Sequence, residues 1–242
     1  MRRRLEWRAA ELVKIVDETG TARTLRFRVP GWPGHLAGQH VDVRLTAEDG
    51  YSTRRSYSLA APADGDLVEL TVETVPDGEV SPYLNEVMEI GDQVELRGPV
   101  GGWFVWRPAS ESRVLLVAGG SGIVPLMSMI RARRRAGSRV PFSLLYSVRD
   151  AERRYYADEL AVPEPGLDVT YLYTRQAPPG SSRAVGRIML DDLAAGGRPA
   201  VAEPDCYVCG PTGFVEASAD LLLTLGHAPE RIRTERFGPT GG

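Results

Sequence analysis

The stretch Val114-Leu115-Leu116-Val117-Ala118-Gly119-Gly120-Ser121-Gly122-Ile123-Val124-Pro125 decides how the second half of this chain is read. Its first five residues form an apolar run too short for a helix, the signature of a strand buried on both faces of a parallel sheet. The glycines that follow permit a tight turn, and Pro125 suits the first turn of a helix, where its missing N–H costs nothing. Such a strand-to-helix turn lets backbone approach a pyrophosphate and offers it the unpaired N–H groups of the helix start. The spacing is Gly-x-Gly-x-x-Pro rather than the commoner Gly-x-Gly-x-x-Gly, and alone it also fits a tight turn with no ligand.

Downstream, helix and strand alternate: helices over residues 125–136, 155–160, 189–194 and 213–225, strands over 114–118, 142–147, 169–173 and 206–209. That alternation specifies a parallel sheet covered by helices, with ligands bound beyond the carboxyl ends of the strands. The Pro178-Pro179-Gly180-Ser181-Ser182 run reads as a loop. Upstream the pattern changes. Short β-branched or alternating runs at 10–17, 24–29, 40–45, 56–60, 67–75 and 93–96 are punctuated by Gly, Pro and Asp, with one helical interruption at 82–89. Six strands so spaced predict a closed or partly closed antiparallel barrel. The polar segment 107–112 reads as a linker, so the expected domains are a barrel over 1–108 and an α/β domain over 109–242.

Composition narrows the chemistry. The chain has 242 residues, 43% hydrophobic and 25% charged, with a net charge of -3. That is ordinary for a globular protein and gives no reason to expect nucleic acid. Arg2, Arg3 and Arg4 are followed by Glu6, Arg8 and Glu11 instead of an apolar run, and no apolar stretch nears the roughly 20 residues that cross a bilayer. A cytoplasmic protein without a membrane segment is expected.

Lysine occurs once, as Lys14 between Val13 and Ile15, which excludes a Walker phosphate loop and argues against a Schiff-base lysine. His35, His40 and His227 show no H-E-x-x-H spacing and read as surface or packing residues. Cys206-Tyr207-Val208-Cys209 spells C-x-x-C, but in a strand positions three apart point to opposite faces, against a metal or a disulfide. No metal site is expected. Two cysteines cannot supply the four thiolates of a plant-type iron–sulfur cluster, so any such cluster belongs to another protein.

Three further motifs accompany the glycine turn: Arg55-Ser56-Tyr57-Ser58, at the opening of a barrel strand; Gly78-Glu79-Val80-Ser81-Pro82-Tyr83-Leu84; and Cys209-Gly210-Pro211. In this order, over about residues 7 to 238, the four resemble the ferredoxin-NADP reductase family, and most closely reductases serving oxygenases or free ferredoxins without a fused iron–sulfur domain. The resemblance implies an FAD-binding barrel and an NAD(P)-binding α/β domain. It implies that Arg55 pairs with the FAD pyrophosphate, as suits a permanently charged planar guanidinium. It gives Tyr57 an aromatic face for the isoalloxazine and Ser58 a hydroxyl near its N5, with Ser56 and Val72 completing that wall. Gly78, Val80 and Ser81 would hold the pyrophosphate at a helix start. From the residues alone, Arg55 also fits a surface ion pair, Tyr57 cross-strand packing and Ser81 an N-cap.

On the nucleotide side the resemblance assigns Gly120, Ser121, Gly122, Pro125, Gly210 and Pro211 to coenzyme binding and sets Cys209 beside the nicotinamide; a small buried hydrophobe fits Cys209 equally well. Glu235-Arg236-Phe237 resembles the family's terminal carboxylate-x-aromatic arrangement, making Glu235 a proton relay and Phe237 the ring that covers the flavin. Here residues 238–242 follow, where plant-type members stop at a tyrosine, so the tail itself could take that place. Thr174-Arg175 aligns with the Ser-Arg pair of NADP-specific members. Arg183 in the next loop and Arg149 would assist, pointing to NADPH, while Asp150 would suit the ribose of NADH. The expected activity is hydride uptake from NADPH and single-electron delivery by a monomer to a separate ferredoxin or oxygenase component. The alternatives are a flavin or quinone reductase and a nucleotide-binding regulatory module without turnover.

Overall fold

The computed structural model describes residues 5–196 and 200–238. The arginines at 2–4 and the tail beyond Gly238 lie outside these. The chain divides into two compact units. The first runs to Arg107 and takes in Met127–Ala132; the second comprises Pro108–Leu126 and the chain from Arg133 onward.

The first unit is a six-stranded antiparallel sheet in the order β4-β3-β6-β1-β2-β5. Its strands are β1 (Trp7–Thr19), β2 (Ala22–Arg28), β3 (His40–Thr46), β4 (Ser52–Ser58), β5 (Leu67–Glu73) and β6 (Gln93–Val100). Alternation builds the core: in β3, Val41 and Val43 are fully buried while His40, Asp42 and Arg44 point the other way. Leu12, Leu25, Phe27, Leu70, Val72 and Leu96 join those valines in one apolar cluster. The two edge strands, β4 and β5, share no ladder; among the described residues an isolated antiparallel bridge joins Leu59, just past β4, to Leu70 of β5, so the barrel closes only in part.

Two expectations change here. The fourth strand lies at Ser52–Ser58 rather than 56–60, so Arg55-Ser56-Tyr57-Ser58 ends a strand instead of opening one. It starts early because residues 52–58 pair along their whole length with β3. The helical interruption begins at Val80 as the short helix α1 (Val80–Pro82) and continues as a π-turn over Tyr83–Val87. Ser81 therefore lies inside the turn and is not its N-cap, a place held by Glu79.

The second unit is a five-stranded parallel sheet in the order β11-β10-β7-β8-β9. Its strands are β7 (Val114–Gly119), β8 (Phe142–Val148), β9 (Leu167–Tyr173), β10 (Asp205–Pro211) and β11 (Ile232–Phe237). The helices are α2 (Ile123–Arg135), α3 (Ala157–Ala161), α4 (Leu190–Gly196) and α5 (Thr212–Thr224). All residues of β7 and β8 are buried, as expected of central parallel strands. β11 was not anticipated: Glu235 and Phe237 sit in an added edge strand. From β7 the chain winds outward through β8 and β9, then returns to place β10 on the other side of β7. In sheets of this kind ligands bind beyond the carboxyl ends of the strands at such a reversal, which here is the ends of β7 and β10.

Candidate functional site

In the first unit the motif residues gather along the seam left by incomplete closure. Arg55, Ser56, Tyr57 and Ser58 lie on β4, Val72 on β5, and Gly78, Val80 and Ser81 on the loop and helix between β5 and β6, with α1 packed on β4. Strand alternation gives Arg55 and Tyr57 one face and Ser56 and Ser58 the other. Tyr57 rests against the apolar core, and burial drives its phenol pKa up despite the opposing charge of Arg55, so the ring is neutral. Arg55 is exposed and donates to the Arg54 carbonyl at 2.7 Å.

Ser56 is held differently. Its hydroxyl donates to Asp42 at 2.7 Å, and Arg97 grips the same carboxylate at 2.6 Å. Burial alone would raise the Asp42 pKa; the hydrogen bonds from Arg97 and Ser56 outweigh it and hold the carboxyl below its ordinary value. Because β4 is an edge strand, a flat group lying along that edge could meet side chains from both faces.

The 75–81 loop is tightly built. Ser81 is buried, and its Oγ accepts the Val75 N–H at 3.0 Å, while the Gly78 N–H donates to the Val75 carbonyl at 3.0 Å. A side chain on Gly78 would crowd Val75 and Ser81. Sequence reading missed Asn85. Its amide donates to the Val72 carbonyl at 2.9 Å and to Thr74 Oγ1 at 3.0 Å, fastening the helical turn to β5. The one visible signal is a polar residue among the buried positions of that turn. These residues suit FAD: an exposed guanidinium, a neutral aromatic ring and a glycine-serine loop border one seam.

In the second unit both glycine motifs lie at the reversal of strand order. Gly119 ends β7, Gly120–Gly122 forms a 3-10 turn leading into α2, and Cys209, Gly210 and Pro211 end β10. Gly120 has φ of 53°, and the space where its side chain would stand is open. A methyl group on Gly122 would overlap the Cys209 carbonyl, so only glycine lets the two motifs lie this close. Phe214, also missed, covers Gly119 and Gly210 with its ring. Ser121 is half-buried at the turn, and Pro125 stands in the first turn of α2. A glycine cradle at a helix start fits a pyrophosphate.

Cys209 is fully buried, and its thiol is held protonated first by burial and then by the Glu235 charge. Glu235 is its register partner on β11, and Phe237 pairs with Pro211 at the strand ends. Cys206 faces away: its sulfur lies 3.7 Å from His227 Nδ1, and burial pushes its pKa up to about 12.

At the ends of β8 and β9, the Thr174 N–H and Oγ1 both reach the Val148 carbonyl, at 2.8 and 3.2 Å. Arg175 is exposed, with its N–H donating to the Arg149 carbonyl at 3.0 Å. Asp150 caps a short 3-10 turn by accepting the Arg153 N–H at 3.2 Å. Arg183, half-buried, forms a two-pronged pair with Asp192 at 2.5 and 2.7 Å.

Comparison with known proteins matches this architecture. Residues 9–105 match the oxidoreductase FAD-binding domain family and residues 116–220 the oxidoreductase NAD-binding domain family. A flavohemoprotein of Pseudomonas putida is 32% identical over 96% of this chain and 60% of its own length. The ferredoxin--NAD(P)(+) reductase component of the naphthalene 1,2-dioxygenase/salicylate 5-hydroxylase systems of a Ralstonia species is also 32% identical, over 95% of this chain and 69% of its own. The chain thus spans about three fifths to two thirds of these relatives. The FAD/NAD-binding domain of a nitric oxide dioxygenase from Vibrio cholerae superposes with a TM-score of 0.85 at 25% identity, over 96% of this chain and 99% of that domain. With an FAD-binding sheet, an NAD-binding sheet and relatives at this level, the chain belongs to the ferredoxin-NADP(+) reductase-like family of FAD- and NAD(P)-binding oxidoreductases.

Proposed function

We propose that this protein takes hydride from NADPH and passes electrons one at a time to a separate ferredoxin or oxygenase component. The single observation behind this reading is that one chain carries two tight glycine turns of the kind suited to phosphates: the Gly78–Ser81 loop in the first unit, which also carries Arg55, and the Gly119–Gly122 turn against Cys209 in the second. Its reductase-component relative supports the separate acceptor. The working domains are 1–108 and 109–242, acting as a cytoplasmic monomer.

When bound, FAD supplies the conversion between a two-electron hydride and single electrons. The chain's own part is binding and proton placement. Arg55 meets the FAD pyrophosphate with a fixed positive charge and the Gly78 and Ser81 loop lies near it, while Ser56, on the other face of β4, and the buried Val72 and Val80 hold in place the strands and helix that border the site. Tyr57 offers a neutral ring, and the Ser58 hydroxyl a donor. Cys209 stays a protonated thiol, filling space without acting as a nucleophile. Glu235 holds a carboxylate as proton acceptor, and Phe237 contributes an aromatic surface. Gly120, Ser121, Gly122, Pro125, Gly210 and Pro211 form the coenzyme cradle. Thr174 and Arg175 receive the adenosine ribose, and Arg175's exposed guanidinium favours a 2'-phosphate.

An anaerobic titration with NADPH and with NADH, read at the flavin absorbance, tests this. NADPH should bleach the yellow protein at lower concentration than NADH, and added ferredoxin should restore the colour. Protein that is colourless and takes up no FAD would refute the reading.

A further inference from the structure

We infer that Arg183 is a positioning residue, the clasp that shapes the loop between β9 and α4, and that it does not itself grip the coenzyme. The inference rests on the reading above that this loop receives the adenosine ribose.

A guanidinium has five N–H donors. In Arg183 each is directed at an acceptor in its own loop or in the first turn of α4. Nε donates to Asp192 Oδ1 at 2.5 Å, and Nη2 to Asp192 Oδ2 at 2.7 Å and to the Arg187 carbonyl at 2.8 Å. Nη1 donates to the Ala184 carbonyl at 2.8 Å and, at 3.4 Å, to that of Gly186. Asp192 stands in the first turn of α4 and also accepts the Met189 N–H at 2.8 Å. The Gly186 N–H in turn bonds the Tyr173 carbonyl at 2.9 Å, drawing the loop back to the end of β9 beside Thr174 and Arg175.

Turning Arg183 toward a phosphate would strand three carbonyls and the Asp192 carboxylate, which is 9% exposed. An ion left buried without its partner is strongly unfavourable, and each lost carbonyl bond adds to that. The exposed guanidinium of Arg175 has no comparable tie to its own loop among the bonds described, and the loop that Arg183 clasps is bonded to the carbonyl of Tyr173, two residues before Arg175.

Lysine separates the two roles. A phosphate accepts lysine as a point charge, but three flexible donors cannot satisfy five fixed acceptors. The test measures dissociation constants of 2',5'-ADP and 5'-AMP on the holoprotein by calorimetry, with amide exchange across residues 174–189. Arg183→Lys and Arg183→Gln should each weaken both nucleotides by the same factor, about 3- to 10-fold, and speed exchange in that loop. Arg183→Lys binding 2',5'-ADP like the parent, while Arg183→Gln loses 2',5'-ADP but keeps 5'-AMP, would overturn the inference. Should either variant fail to fold, Asp192→Asn retains the arginine. Weaker binding of both nucleotides then supports the clasp, and tighter 2',5'-ADP binding overturns it. If the parent binds 2',5'-ADP and 5'-AMP equally, the NADPH reading fails, while the exchange data still decide the role of Arg183.

Discussion

Cys209 and Glu235 are register partners on the adjacent parallel strands β10 and β11, and burial, reinforced by the Glu235 charge, keeps the Cys209 thiol protonated. Cys206, on the other face of β10, is pushed up to about 12 by burial. Thiolates, not thiols, react with alkylating reagents. Native protein held with iodoacetamide at pH 8 should therefore carry no adduct, while urea-unfolded protein carries one on each cysteine. Rapid labelling of Cys209 in the native state would contradict this environment.

Gly122 packs where any side chain would meet the Cys209 backbone. Two backbones cannot separate without shifting β7 against β10, so the strain has no cheap relief. Gly122→Ala should cost about 1–3 kcal/mol, as overpacking does, and should weaken 5'-AMP binding. Thermal unfolding and calorimetry together check both effects; a variant as stable as the parent would show that the turn can give.

The Arg55 guanidinium is exposed on β4 and donates to the neighbouring Arg54 carbonyl at 2.7 Å. Arg55→Ala should leave the apolar cluster of the first unit intact yet lower FAD retention by at least about tenfold, the effect of removing a charge-assisted phosphate contact. The ratio of flavin to protein absorbance after gel filtration measures this. Unchanged occupancy would remove Arg55 from the site.

Arg133 is 3% exposed and donates to Glu164 and to the carbonyls of Val140, at 2.7 Å, and Pro165, at 2.8 Å. It ties the end of α2 to the approaches of β8 and β9. Arg133→Leu would leave Glu164 with Arg134 alone and two carbonyls unmet, costing about 3 kcal/mol. Urea unfolding of the second unit should shift accordingly, with FAD affinity in the first unit unaltered.

Asp42 gives the pH dependence a sign. Burial raises its pKa, but the bonds from Arg97 and Ser56 win, so the folded value lies below the ordinary 3.8. A depressed carboxylate contributes stability that is full above its unfolded value and fades as pH falls through the folded one. Unfolding midpoints should therefore drop as pH is lowered from about 5 toward 3, and Asp42→Asn should be less stable at pH 7 with a shallower acid slope. Parallel slopes for the two proteins would exclude this pair as a contributor.

Much of this was legible from residues alone because it depends on local patterning. The five apolar residues ahead of Gly119 could only be a buried strand, and the alternation after residue 114 could only be a parallel sheet. β11 was hidden: Arg233, Glu235 and Arg236 give it no apolar pattern, and it exists because the free edge of β10 offers a ladder of hydrogen bonds. Other determinants lie in pairs that spacing cannot reveal. Ser56 meets Asp42 through the register of β3 and β4, Gly122 meets Cys209 through the reversal of strand order, and Arg183 meets Asp192 across a loop. Sequence settled which chemistries the chain can hold, since residue types and local periodicity are written in it. Tertiary structure alone decided which arginine faces outward and which is spent holding the fold, because a guanidinium's role depends on the acceptors that reach it.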